Sequence, residues 1–108
     1  MKERATPVKF PDGNVFWYLE GTIAHRDNGP AEEHADGTLV WRKDGHKHRE
    51  DGPAYIGKNL RSWWKNGYRH REDGPAMIYG DGKQEWYLFG EEYDVLEWML
   101  KVHELKSK

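Results

Sequence analysis

A period of about 23 residues runs through this chain and leaves few architectures open to it. Trp17, Trp41, Trp63 and Trp86 are each followed four residues later by glycine: Gly21, Gly45, Gly67 and Gly90. After the first three of these comes His-Arg, at His25-Arg26, His48-Arg49 and His70-Arg71. An acidic residue follows, then Asn or Asp, then Gly29-Pro30-Ala31, Gly52-Pro53-Ala54 or Gly74-Pro75-Ala76. The Trp-to-Trp steps are 24, 22 and 23 residues, so three copies and the start of a fourth occupy residues 12–90. A unit this short cannot bury an apolar face by itself, and copies must cover one another.

The glycines say what each unit is made of. Asp12-Gly13, Asp36-Gly37, Asp44-Gly45, Asn66-Gly67 and Asp81-Gly82 are the strongest short-range signals for tight hairpin turns. Asn59 stands four residues before Trp63, where the other units have Gly13, Gly37 and Gly82, and is expected to keep their positive φ. The stretches between turns carry Val, Thr, Trp, Tyr and Ile, a strand composition. The body is therefore expected to be all-β. Three full reversals per unit would flip each copy relative to the next, so one glycine class must be a bend. Proline lacks a ladder donor, which makes Gly-Pro that bend. The expected fold is one hairpin per unit, stacked as an antiparallel meander or solenoid sheet, with a three-sided β-coil as the alternative.

The 108 residues make one small domain: an N-terminal segment 1–11, the array 12–90 and a C-terminal helix over 91–106. Asp94 with Glu97 forms an N-cap pair, and Val95, Trp98, Met99, Val102 and Leu105 recur at helical spacing, with Glu97, Lys101 and Glu104 facing away. This amphipathic helix is expected to cap the last strand. With 33% charged residues and a mean hydropathy of −1.09, the core must come from the 14% aromatic residues. Trp17, Trp41, Trp63 and Trp86 are assigned to it, with Ala31, Ala54 and Ala76 receiving their rings. No apolar run is long enough to span a membrane, and none follows Met-Lys-Glu-Arg as a secretory signal would. The absence of cysteine excludes disulfides and thiolate metal sites. A cytoplasmic protein is expected.

The Trp-x-x-x-Gly-x-x-His pattern, the Asp-Gly turn before each Trp strand and the period together resemble the MORN repeat. They are closer still to the MORN-variant arrays of bacterial and bacteriophage proteins, some labelled antitoxin components. The resemblance covers about residues 12–90 and departs from the ordinary unit at Arg-acidic-x-Gly-Pro-Ala, where a histidine-glycine-x-glycine run would stand. It implies a β-hairpin array used as a binding scaffold, often for proteins and sometimes for self-association.

His-Arg-acidic invites a catalytic reading, with histidine as base and arginine as anion clamp. It occurs three times at equivalent places, however, whereas a reaction needs one asymmetric constellation. No enzyme is expected, and no catalytic residue is assigned. His46-x-His48 with His25, His34 and His70 is too unspecific for a metal site, and no cofactor motif is present. Charge is segregated: residues 41–73 hold nine Lys or Arg against five Asp or Glu, while 12–38 and 80–100 each hold six acids against one base. A non-enzymatic, protein-binding module is thus expected, presenting Tyr18, Arg42, Trp64 and Tyr87 with Lys43, Lys65 and Arg69 to a partner. Steric inhibition of a host or toxin protein is the most specific form that the resemblance implies. The alternative is nucleic-acid or anionic-nucleotide sequestration by the aromatic basic patch at 41–73. Self-association through the first strand near Val8–Phe10, or through the helix, is also open.

Overall fold

The computed structural model describes residues 2–107. Its strands are β1 (Thr6–Lys9), β2 (Val15–Tyr18), β3 (Glu32–Glu33), β4 (Leu39–Val40), β5 (Arg42–Lys43), β6 (His46–Lys47), β7 (Tyr55–Ile56), β8 (Leu60–Ser62), β9 (Trp64–Lys65), β10 (Tyr68–Arg69), β11 (Met77–Tyr79), β12 (Gln84–Leu88) and β13 (Glu91–Tyr93), followed by the helix α1 (Val95–Lys106). Nine strands form one sheet in the order β1-β2-β3-β4-β7-β8-β11-β12-β13, and all their pairings are antiparallel. Between β4 and β7 the chain leaves this sheet through the hairpin β5–β6, and between β8 and β11 through β9–β10. The chain therefore reverses at both ends, as expected for a meander and not for a coil. A Cα radius of gyration of 15.4 Å, against about 13 Å for a compact chain of this length, and extents of 46 × 34 × 20 Å describe a flat, elongated slab.

Turn chemistry follows the sequence with one exception. Asp44-Gly45, Asn66-Gly67 and Phe89-Gly90 carry positive φ at both residues (+50/+87, +50/+85 and +51/+87), the type I′ geometry that matches strand twist. The main-sheet turns ending in Gly13, Gly37 and Gly82 close between residues four apart, as in the 2.9 Å bond from the N–H of His34 to Thr38 O. At the corresponding turn of the middle unit the N–H of Gly57 reaches Leu60 O, at 2.8 Å, over only Lys58 and Asn59. Asn59 thus lies outside the left-handed region, contrary to expectation, because this turn is one residue shorter. That deletion is why the Trp41–Trp63 step is 22 residues and not 23.

The four register tryptophans are half-buried and do not form a shared apolar core. Trp17, Trp41 and Trp63 each lie under a guanidinium, with Arg26, Arg49 and Arg71 at 3.9, 3.8 and 3.8 Å from the ring centroid. The outer side of each arginine is closed by the Gly-Pro segment, whose proline carbonyl accepts from its Nη1 (3.2, 3.1 and 3.1 Å at Pro30, Pro53 and Pro75). A β-carbon on Gly29, Gly52 or Gly74 would meet that Cζ at 3.0, 3.0 and 2.7 Å, so the missing side chain lets the guanidinium lie close, most tightly at Gly74. Ala31, Ala54 and Ala76 are fully buried, but they engage the tryptophans through the main chain: the carbonyls of Ala31, Ala54 and Ala76 accept from the N–H of Trp17, Trp41 and Trp63 of their own units, each at 2.7 Å.

Trp86 has no arginine over it; its partner is Trp98 of α1, with ring centroids 4.8 Å apart. Asp94 caps the helix, accepting from Glu97 N–H at 2.9 Å, and Trp98 Nε1 donates to Arg71 O at 3.0 Å. Leu88, Trp98 and Val102, with Trp86, Tyr93 and Leu105 beside them, make the apolar cluster at this end. The helix begins later than expected because Glu91–Tyr93 first complete a hairpin with β12. Its faces differ too: Val95 and Met99, with Leu96 and Leu100, point to solvent. At the opposite end, β1 extends the sheet upstream of residue 12 and is exposed throughout. Trp17 turns its N–H toward Ala31, so its cross-strand partner Pro7 faces the free edge where a donor would be needed, and has none. Proline thus blunts the edge proposed for self-association.

Gly74→Ala should destabilise the protein by about 1–3 kcal/mol in urea unfolding, because a Cβ there displaces Arg71 from Trp63. Trp98→Ala should cost about 3–5 kcal/mol and reduce helical ellipticity disproportionately, since Val102 and Leu88 lose their cover with it.

Candidate functional site

The histidines that invited a catalytic reading share one hydrogen-bond pattern. The Nε2 atoms of His25, His48 and His70 lie 2.8 Å from Asp27, Glu50 and Glu72 carboxylates. Each Nδ1 accepts from a backbone N–H, of Asp44 (2.9 Å), Asn66 (3.0 Å) and Phe89 (2.9 Å). A main-chain donor at Nδ1 fixes the tautomer: the proton resides on Nε2 and is donated to the carboxylate. Those three donors are the first residues of the I′ turns. Each turn's glycine N–H in turn bonds Ala24, Lys47 or Arg69 O, the residue preceding the histidine, at 2.8, 2.9 and 2.9 Å. The histidines are buried clips that join each hairpin to the next. Among the described residues no group of three or more His, Asp or Glu is placed to hold a metal ion.

The first clip is anchored by the N-terminal segment. Arg4 bonds Asp27 through Nε and Nη2 (3.0 and 2.8 Å). Its 3.2 Å approach to His25 Nε2 brings two donors together and is no bond once that nitrogen carries the proton. The Arg4 bonds, then that from His25, hold the Asp27 carboxyl far below its usual range, against the opposing effect of burial. Glu3 accepts from Ala5, Asp27 and Asn28 N–H at 3.0, 2.9 and 2.8 Å and stands 3.6 Å from Arg26. It thereby pairs with Arg26 where Asp51 and Asp73 serve Arg49 and Arg71.

A different set of side chains is available to a ligand. Cross-strand register pairs Arg42 with Lys47, Trp64 with Arg69 and Tyr87 with Glu92, placing each pair on one face. On that face Lys47 Nζ stands 4.6 Å from the Trp64 centroid, Arg69 5.0 Å from Trp64 and 5.4 Å from Tyr87. Trp64 Nε1 is turned inward to Ser62 Oγ at 2.7 Å. Arg42 Nε donates to Glu32, which also lies 2.9 Å from His34 Nε2. Burial raises the Glu32 carboxyl, yet the bonds from Arg42 and His34 outweigh it and hold the group below its ordinary value. Burial, then the charge of Arg42, pushes the Lys47 ammonium down. The result is a ladder in the order Arg42, Lys47, Trp64, Arg69, Tyr87 across neighbouring hairpins.

Of the residues singled out from sequence, Arg42, Trp64, Arg69 and Tyr87 fall in this ladder. Tyr18 stands at the corresponding place on β2, bridged to Ala24. Lys43 and Lys65 pair across strands with His46 and Tyr68 on the opposite face, and Lys65 stands 4.0 Å from Glu50. Lys47 was missed, although its position two residues after Gly45 is that of Arg69 after Gly67. No helix among the described residues is long and apolar enough to cross a membrane. Comparison with known proteins yields no match: no family model fits the chain, and neither a curated protein nor a solved structure is similar to it.

Because Asp27's folded pKa is depressed, its ion pairs stabilise the protein fully above the usual aspartate value of 3.8 and are lost as pH falls below it. Asp27→Asn should therefore lower the urea midpoint at pH 7 and shrink the loss of stability between pH 5 and pH 2.5. An unchanged acid limb would refute the assignment.

Proposed function

We propose that this chain is a non-enzymatic MORN-like repeat array whose ladder of Arg42, Lys47, Trp64, Arg69 and Tyr87 is a protein-binding face. The observation that carries the reading is the division of labour among the polar side chains. The three His-Arg-acidic segments are consumed in joining hairpins and covering tryptophans, so none is set apart for chemistry. Lys47 and Arg69, by contrast, have no carboxylate within ion-pair distance among the described residues, and they stand beside aromatic rings of the types that anchor interfaces. Recurrence of the same guanidinium, histidine and turn contacts at steps of about 23 residues supports the array reading. The sequence resemblance to MORN-variant arrays gives the reading its most specific form: an inhibitor of a host or toxin protein that occludes the target's surface in the cytoplasm. Self-association belongs to the outward helix residues Leu96, Met99 and Leu100, because Pro7 blunts the first strand.

Affinity capture from bacterial lysate tests the face. Partners retained by the wild type should be lost with Arg69→Glu combined with Trp64→Ala, and kept with Lys43→Glu combined with Lys65→Glu on the opposite face. Equal recovery by both variants would overturn the assignment.

A further inference from the structure

We infer that the ladder is a carboxylate-recognition surface, and that its occupant is an acidic segment of a partner protein, not a nucleic-acid strand. This rests on the protein-binding reading above and narrows it to one ligand chemistry.

The decisive feature is what covers the rings. Lys47 reaches Trp64 from β6 and Arg69 reaches it from β10, strands lying on either side of β9. Arg69 also lies against Tyr87. A nucleobase stacks on an aromatic face, and here Trp64 is attended by two of the chain's own cations and Tyr87 by one. A ring held between neighbours stands on edge, and its edge is the positive part of its quadrupole. The exposed parts of the ladder are therefore ammonium and guanidinium N–H groups alternating with positive ring edges. Between Lys47 and Arg69 such a row attracts anions, with Glu32 and Glu92 bounding it at its two ends, and its central ring gives bases nothing to stack on.

The cations are also short of acceptors. Arg42 is bonded to Glu32, but Lys47 and Arg69 have no carboxylate within ion-pair distance among the described residues. Arg42 and Lys47 face each other directly across β5 and β6, and Glu32, bonded to Arg42, is the carboxylate that offsets this like-charge pair. Lys47 Nζ and Arg69 Cζ, at 4.6 and 5.0 Å from the Trp64 centroid, stand no more than about 10 Å from each other across that ring. Two carboxylates on one face of a partner helix, two turns apart, span about the same distance.

The experiment is a titration of the intact protein with a short fluorescein-labelled oligoglutamate, read by anisotropy, beside an oligothymidylate of matched charge. Oligoglutamate should bind, weaken as salt is raised, and bind more tightly than oligothymidylate. Lys47→Gln and Arg69→Gln should each weaken it about tenfold, while Lys43→Gln and Lys65→Gln should change it less than about twofold. Thermal unfolding of every variant reports whether the fold is kept, and Arg69→Lys, which preserves charge, should retain most of the binding. Tighter binding of oligothymidylate, no binding of oligoglutamate, or equal losses from the two faces would each overturn the inference. If capture from lysate still depended on Arg69 while oligoglutamate failed, the carboxylate assignment would fall and the protein-binding reading would stand.

Discussion

A guanidinium lying on an indole, three times over, is the contact on which this architecture depends. It is a polar group doing what an aliphatic side chain does elsewhere: it covers an aromatic ring while its edge bonds a proline carbonyl and, at Arg49 and Arg71, an aspartate two residues on. Each such cation–π contact contributes about 0.5–2 kcal/mol, so the stabilisation is spread over many small terms. That explains how a chain with a mean hydropathy of −1.09 folds at all. Its fully buried apolar residues are mainly alanines, plus the cluster under the helix. The accessible surface of 7122 Å², against about 6,300 Å² for a compact protein of this mass, is the geometric consequence of building in one layer.

The histidine clips supply what the stacks do not, which is coupling along the slab. A stack closes within its own unit, whereas His25, His48 and His70 each reach into the next hairpin and bond the first N–H of its turn. Leaving such a donor buried without a partner costs about 1–3 kcal/mol, enough to make adjacent hairpins unfold together. The carboxylate on the far nitrogen matters because it holds the proton there and keeps Nδ1 free to accept. Phe89 shows how strongly the clip constrains the chain. A bulky residue adopts φ +51 in the place of Asp44 and Asn66, and its ring packs on His70 at 4.3 Å.

The β character, the hairpin turns, the antiparallel order, the helix and its Asp94 cap were legible in the sequence, because each follows from local chemistry: Asp-Gly and Asn-Gly geometry, β-branched and aromatic composition, 3.6-residue spacing. The environment of the tryptophans was not. Periodicity tells that Trp17, Trp41 and Trp63 share a side; it does not tell that arginine rather than an apolar layer covers them. The spacing from Arg26, Arg49 and Arg71 to the glycine three residues on held that information, in the form of a missing Cβ. The ladder was half visible. Arg42, Trp64 and Tyr87 were found by register, but Lys43 and Lys65 were grouped with them by net charge, which is blind to the alternation that sends neighbours to opposite faces. On the helix, two apolar stripes overlap in sequence, and spacing alone assigned Val95 and Met99 to the wrong one.

Trp98 stands where a fourth arginine would lie, so the end of the slab is written by a side chain that imitates the missing module. An indole brought by a helix offers the same flat surface as a guanidinium but carries no strand behind it, and propagation halts. Units duplicated or deleted upstream would leave this lid and its seat on Trp86 untouched.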